Sequence, residues 1–180
     1  MIKKINNLLI LIILIGSIVV LNKSKLDLVN TLKILSIFLS INVINILKLK
    51  IKIDDKINLV YIIFVILAHF LGVILNFYDK YPGYDKVIHF IFGLVAAYFS
   101  LFLLKDSNIN KKIGIIVITL AMATLWEIYE YICSIIFNID PQEVLKTGVN
   151  DTMLDIIVAF IGSIIVSLFY RKSFDKKNNM

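Results

Sequence analysis

Two carboxylates one helical turn apart are the clearest sign of chemistry in this sequence. Glu127 and Glu130 lie in the segment Trp126-Glu127-Ile128-Tyr129-Glu130-Tyr131, inside an apolar run. Two buried carboxylates this close repel each other, so either one of them is protonated or a cation binds between them. The pair therefore predicts an acid/base or cation-binding role. The alternative is a neutral glutamate that makes a structural hydrogen bond.

A histidine and an aspartate with helical spacing form a second candidate. Asp85 and His89 are four residues apart, which places them on one face of a helix. In that position Asp85 can orient the imidazole of His89, which would act as a ligand or a base. Alternatively, Asp85 and Lys86 only mark the membrane interface. His69, in an earlier run, is expected either to support the site or to be a packing residue.

Asp151 and Asp155 form a third candidate at the start of a late apolar run. Asp151 is well explained as a helix N-terminal acid. Asp155 lies one turn further in, so it is the stronger functional candidate of the two. Residues of these types can ligate Zn²⁺, Mn²⁺ or Mg²⁺, and the same set would serve as a proton or cation relay. The expected catalytic groups are His89, Glu127, Glu130 and Asp155, the metal ligands His89, Glu130 and Asp155, and the supporting residues Asp85, Asp151 and His69.

The elements that must position these groups are membrane helices. Of the 180 residues, 59% are hydrophobic, whereas soluble domains have roughly 45 to 50% apolar residues and a chain this short leaves much of its surface in water. We therefore predict an all-α polytopic membrane protein, with residues 1–180 forming one six-helix domain. The apolar runs long enough to span a bilayer are 5–21, 28–47, 57–77, 87–104, 113–137 and 153–170.

The last four runs differ from the first two, because each combines ionisable groups with small residues. Small residues let membrane helices approach closely, and ionisable groups must point into the bundle rather than at lipid. We therefore expect helices three to six to form the core, around a pocket that opens to the outer side. The first two helices would be peripheral.

The basic residues predict an orientation. Most of the 19 Lys and Arg residues fall in loops on one side of the predicted spans, which favours cytoplasmic N- and C-termini in a bacterial plasma membrane. The first run, which follows Lys3 and Lys4, is expected to be an anchor; the alternative is a cleaved secretory signal. The scattered lysines do not indicate nucleic-acid binding, and a single cysteine, Cys133, excludes a disulfide scaffold.

Three ordered motifs resemble a known family. The segments 84–93 (Tyr-Asp-Lys-Val-Ile-His-Phe-Ile-Phe-Gly), 126–131 and 151–155, with Gly162 after them, resemble the YjdF family of bacterial inner-membrane proteins and, more distantly, VanZ-like proteins. The resemblance implies a multi-pass plasma-membrane protein, and the YjdF family has no settled activity. VanZ-like proteins are associated with tolerance to glycopeptide antibiotics, which implies envelope or lipid chemistry on the outer face.

These observations favour an outward-facing His/carboxylate pocket of a metal-dependent enzyme or binder that acts on an envelope or lipid-linked substrate. The rival interpretations are a small proton- or cation-coupled transporter and a non-catalytic membrane partner protein. In each case the lipid bilayer is the first partner, and a divalent metal is the cofactor that the residue types favour.

Overall fold

The computed structural model describes residues 2–22, 28–47 and 53–170. Within these residues the regular structure is entirely helical, as predicted. A π-helical segment, Ile66–Ile74, directly continues the third helix. The helices are α1 (Ile2–Asn22), α2 (Leu28–Leu47), α3 (Asp55–Val65), α4 (Phe77–Lys80), α5 (Tyr84–Leu103), α6 (Lys111–Phe137), α7 (Val144–Thr147) and α8 (Asn150–Phe169).

Five stretches of the described chain are long and apolar enough to cross a membrane. They are Ile2–Val19, Asp55–Ile74, Tyr84–Leu103, Lys111–Phe137 and Asn150–Phe169, and a shorter apolar stretch, Thr31–Leu47, lies in α2. Large apolar side chains are exposed along these helices, for example Ile135 (65%) and Phe169 (78%), as expected for surfaces that lipid covers. The prediction of an all-α polytopic membrane protein is confirmed.

The predicted orientation of the chain in the membrane depends on the positions of basic residues, and several of these lie outside the described residues. The orientation therefore stays a prediction. These residues are Lys23, Lys25, Lys48, Lys50, Lys52, Arg171, Lys172, Lys176 and Lys177.

The chain divides into two compact units, residues 1–85 and 86–180. In the first unit, α3 packs against α1 and α2, because their isoleucine-rich faces together bury an apolar core. Within this unit the third span thus packs with the first two. The buried core residues of this unit are Ile13, Ile37, Ile41, Ile62, Val65 and Ile74.

The second unit contains α6, α7, α8 and all but the first two residues of α5, which we describe as a whole with this unit. In this unit, glycine residues allow α5 and α8 to approach each other closely. A Cβ atom on Gly93 would lie 2.2 Å from the carbonyl oxygen of Ala159, and one on Gly162 would lie 2.8 Å from that of Phe90. The two backbones therefore touch, as predicted for small residues on facing membrane helices. This contact brings the first turns of α5 and α8 together.

The connection from α6 to α8 is shaped by local hydrogen bonds. Asn138 ends α6 in the left-handed conformation with φ of 53°, which asparagine tolerates better than most residues. The carboxylate of Asp140 then accepts hydrogen bonds from the backbone N–H groups of Val144 (2.8 Å) and Leu145 (3.0 Å). This turn directs Gln142 inward, where it is 7% exposed.

Candidate functional site

The imidazole of His89 lies between two buried carboxylates from two other helices. Its Nε2 atom is 3.9 Å from Oδ1 of Asp155 on α8, and its Nδ1 atom is 4.0 Å from Oε1 of Glu127 on α6. The three side chains are between 3% and 9% exposed. These separations exceed a direct hydrogen bond.

Lys86 joins the same cluster, one turn before His89 on α5. Its ammonium forms an ion pair with Oδ1 of Asp151 and a second one, at 2.8 Å, with Oδ1 of Asp155. It also lies 3.5 Å from the backbone oxygen of Asp151. Asp151 sits in the first turn of α8, where the helix dipole favours a negative charge. Lys86 thus fastens the start of α5 to the start of α8.

Glu127 is held from the loop side by Gln142. The Gln142 amide donates hydrogen bonds to the backbone oxygen and to Oε2 of Glu127, both at 3.1 Å. The other carboxylate oxygen, Oε1, is therefore the one that faces His89. Because charged groups are costly inside a membrane protein, this support explains how a glutamate that is 4% exposed is accommodated.

Glu130 lies in a different environment from Glu127. It is partly exposed and accepts a hydrogen bond of 2.8 Å from the indole N–H of Trp126, one turn earlier in α6. Trp126 in turn packs on Tyr129, with ring centroids 5.4 Å apart. Of the two glutamates, the geometry thus places Glu127 beside His89 and Glu130 beside Trp126.

Asp85 lies one turn before His89 in α5 and is half-buried. One of its carboxylate oxygens lies within 4.8 Å of a ring nitrogen of His89, as the i, i+4 spacing predicts. The cluster of Lys86, Glu127, Asp151 and Asp155 sets one ammonium against three carboxylates. This excess of negative charge in a buried place favours a bound cation or a proton.

His69 belongs to the first unit and is 8% exposed. It lies in the π-helical segment, and its Nε2 atom is 2.9 Å from the hydroxyl oxygen of Ser40 on α2. The backbone oxygen of Ser40 accepts a hydrogen bond of 2.6 Å from the hydroxyl of Tyr61 on α3. A polar contact of this kind ties α2 to the third span.

Two residues of the cluster were not among the candidates from the sequence. Lys86 has a signal, because its position three residues before His89 places it near the same face of the helix. Gln142 has none, because an amide in a connecting segment has no periodicity. Only the turn at Asp140 brings it to Glu127.

Five apolar stretches of spanning length in the described chain define a polytopic membrane protein, and its second unit carries a buried cluster of histidine and carboxylates. Residues 5–176 match the family described as "Predicted membrane protein (DUF2238)", and the chain belongs to this family. An uncharacterised protein of Thermotoga maritima is 32% identical over 115 residues, which cover 60% of this chain and 58% of that protein. The alignment thus spans less than two thirds of the relative. No solved structure matches.

Proposed function

We propose that this protein binds a divalent cation between His89 and Asp155, with Asp85 as a further ligand and Glu127 beside the site, and acts on an envelope or lipid-linked substrate at the outer face of the bacterial plasma membrane. One observation carries the proposal. Both ring nitrogens of one buried histidine lie about 4 Å from buried carboxylates, and those carboxylates come from two other helices. Ionisable groups that converge inside a membrane protein are typical of a functional site.

The distance between His89 and Asp155 is compatible with a shared ion. Metal bonds to imidazole nitrogen and carboxylate oxygen are each about 2.1 Å long, so atoms 3.9 Å apart can both reach one ion. Tetrahedral coordination would draw the two atoms closer by about 0.5 Å. Asp85, one turn before His89, offers a further carboxylate oxygen within 4.8 Å of a ligand atom of His89 and of Asp155. Glu127 rather than Glu130 is the carboxylate of α6 beside this site, where it faces the other ring nitrogen of His89.

The chemistry of the proposed site is that of a Lewis acid with a neighbouring base. A bound ion would polarise a phosphoryl or carbonyl oxygen or activate water. Glu127, or Glu130 one turn further along α6, would exchange protons with the substrate. The placement of the first turns of α5 and α8 at the outer side follows from the predicted orientation with cytoplasmic termini. The resemblance to YjdF and VanZ-like proteins supports envelope or lipid-linked substrates.

Metal content tests the proposal directly. We expect detergent-purified protein to bind Zn²⁺, Mn²⁺ or Mg²⁺ and to melt at a higher temperature in its presence, because a ligand that binds only the folded state stabilises it. The variant Asp155→Asn should lose both effects. Asp106→Asn, which changes an exposed aspartate in the same unit, is the matched control and should keep both. Wild-type protein that binds none of the three ions refutes the metal site.

A second candidate, proton- or cation-coupled transport, is favoured by one specific feature. Lys86, Asp155, His89 and Glu127 form a continuous series of ionisable groups with steps of 2.8 to 4.0 Å, and such a series can relay protons. Uptake into proteoliposomes that disappears in Glu127→Gln would favour transport over the enzyme. Glu130→Gln is the matched control, because it removes the neighbouring carboxylate of the same helix.

A further inference from the structure

Lys86 and His89 both lie close to the same oxygen atom, Oδ1 of Asp155. Oδ1 of Asp155 lies 2.8 Å from the Lys86 ammonium and 3.9 Å from Nε2 of His89. A divalent ion shared by His89 and Asp155 would approach this same oxygen to about 2.1 Å. The ammonium and the ion would then be close like charges in a buried place, and this repulsion is weakly screened there.

We propose that Lys86 is a tethered competitor cation, which pairs with Asp155 and is displaced from it when a divalent ion binds. This inference rests on the proposed function, since it concerns the same metal site. The ammonium already lies against three oxygens of the first turns of α8, namely Oδ1 and the backbone oxygen of Asp151 and Oδ1 of Asp155. It thus takes the place of a bound ion on that helix.

The Lys86 side chain is more exposed than the two aspartates with which it pairs, so it can move out of the site. The Lys86 side chain is 26% exposed, whereas those of Asp151 and Asp155 are 11% and 3% exposed. A lysine has a long flexible stem that lets its charged end move towards the membrane interface. The ammonium can therefore leave Asp155 and keep Asp151 as its partner, which limits the cost of displacement.

The competition also determines which ions can bind. A monovalent ion carries the same charge as the ammonium, and the ammonium has the advantage of being tethered beside Asp155. A divalent ion gains roughly twice the Coulomb energy from the carboxylates. Lys86 therefore excludes Na⁺ and K⁺ from the site and admits divalent ions.

The test compares metal affinities of purified protein in detergent, measured with Zn²⁺ and Mn²⁺ by calorimetry. In Lys86→Gln we expect the affinity to rise by about tenfold or more, because the competing charge has gone. Lys86→Arg keeps the ion pair and should bind at or below the wild-type affinity. Lys112→Gln removes an exposed lysine from the same unit, and it should stay within about twofold of wild type because exposed charges are screened.

The opposite result separates a competitor from a structural tether. If Lys86 only fastens α5 to α8, its loss disorders the ligands and lowers the affinity, so an unchanged or weaker affinity in Lys86→Gln overturns the proposal. A stronger affinity in Lys86→Arg overturns it as well, even where Lys86→Gln does not fold. Failure of wild type and both variants to bind refutes the metal site itself, and with it the proposed function.

Discussion

The contact between Gly93 and Ala159 makes the sharpest prediction about the geometry of the site. In Gly93→Ala the new methyl group would lie 2.2 Å from the carbonyl oxygen and 2.7 Å from the Cα atom of Ala159. Both of these atoms belong to backbone, so no side chain can rotate away. The helices must separate by at least about 1.2 Å to restore an ordinary van der Waals contact of 3.4 Å.

Gly114→Ala is the matched control for this substitution. A Cβ atom there would lie 2.6 Å from Cδ1 of Leu104, which is the far end of a flexible side chain. Both variants gain the same intrinsic helix preference of about 1 kcal/mol. We therefore expect the free energy of unfolding in detergent to be lower for Gly93→Ala than for Gly114→Ala by about 1 to 3 kcal/mol, the usual cost of overpacking.

The same substitution should also weaken metal binding. His89 lies one turn before Gly93 on α5, and Asp155 lies one turn before Ala159 on α8, so separation of the two backbones widens the distance of 3.9 Å between their ligand atoms. Thermal melting with and without added Zn²⁺ measures both effects. Equal stability of Gly93→Ala and Gly114→Ala would refute the close approach of α5 to α8.

Two further predictions concern the loop side of the second unit. Gln142→Ala should lower the free energy of unfolding by about 1.5 to 3 kcal/mol, since it removes a donor from the buried Glu127 carboxylate. Gln142→Glu should lower the free energy of unfolding further at neutral pH, because it places a second carboxylate beside Glu127. Equal melting temperatures of wild type, Gln142→Ala and Gln142→Glu would contradict the role of Gln142 in stabilising Glu127. Asn138→Val should destabilise by about 1 to 2 kcal/mol while Asn138→Gly stays near wild type, since only the β-branched residue is strained at φ of 53°; chemical unfolding in detergent distinguishes them.

Much of the architecture could be predicted from the sequence, because lipid imposes strict rules. Apolar runs of spanning length predicted the helices, and the structure has its long apolar helices at those runs. Small residues at i+4 spacing predicted where helices approach closely, and Gly93 meets Ala159 there. These signals are local, since each depends on the residues of one helix and on the cost of polar groups in hydrocarbon.

Local sequence signals do not predict which of Glu127 and Glu130 faces His89. The two side chains point about 60° apart around the helix, so a small rotation of α6 decides which of them meets His89. That rotation depends on how α6 packs against α8 and on the turn that carries Gln142. The residue periodicity of one helix encodes neither the packing of α6 against α8 nor the shape of this turn.

The sequence alone thus determined that the chain is a bundle of membrane helices with ionisable groups on the faces of the later ones, because composition and periodicity state these facts directly. Tertiary structure decided that Lys86 bridges Asp151 and Asp155 and that His89 lies between Glu127 and Asp155. These contacts join residues far apart in the chain. Their distances depend on which small-residue faces of different helices meet and in what register, and the spacing within one helix does not encode that pairing.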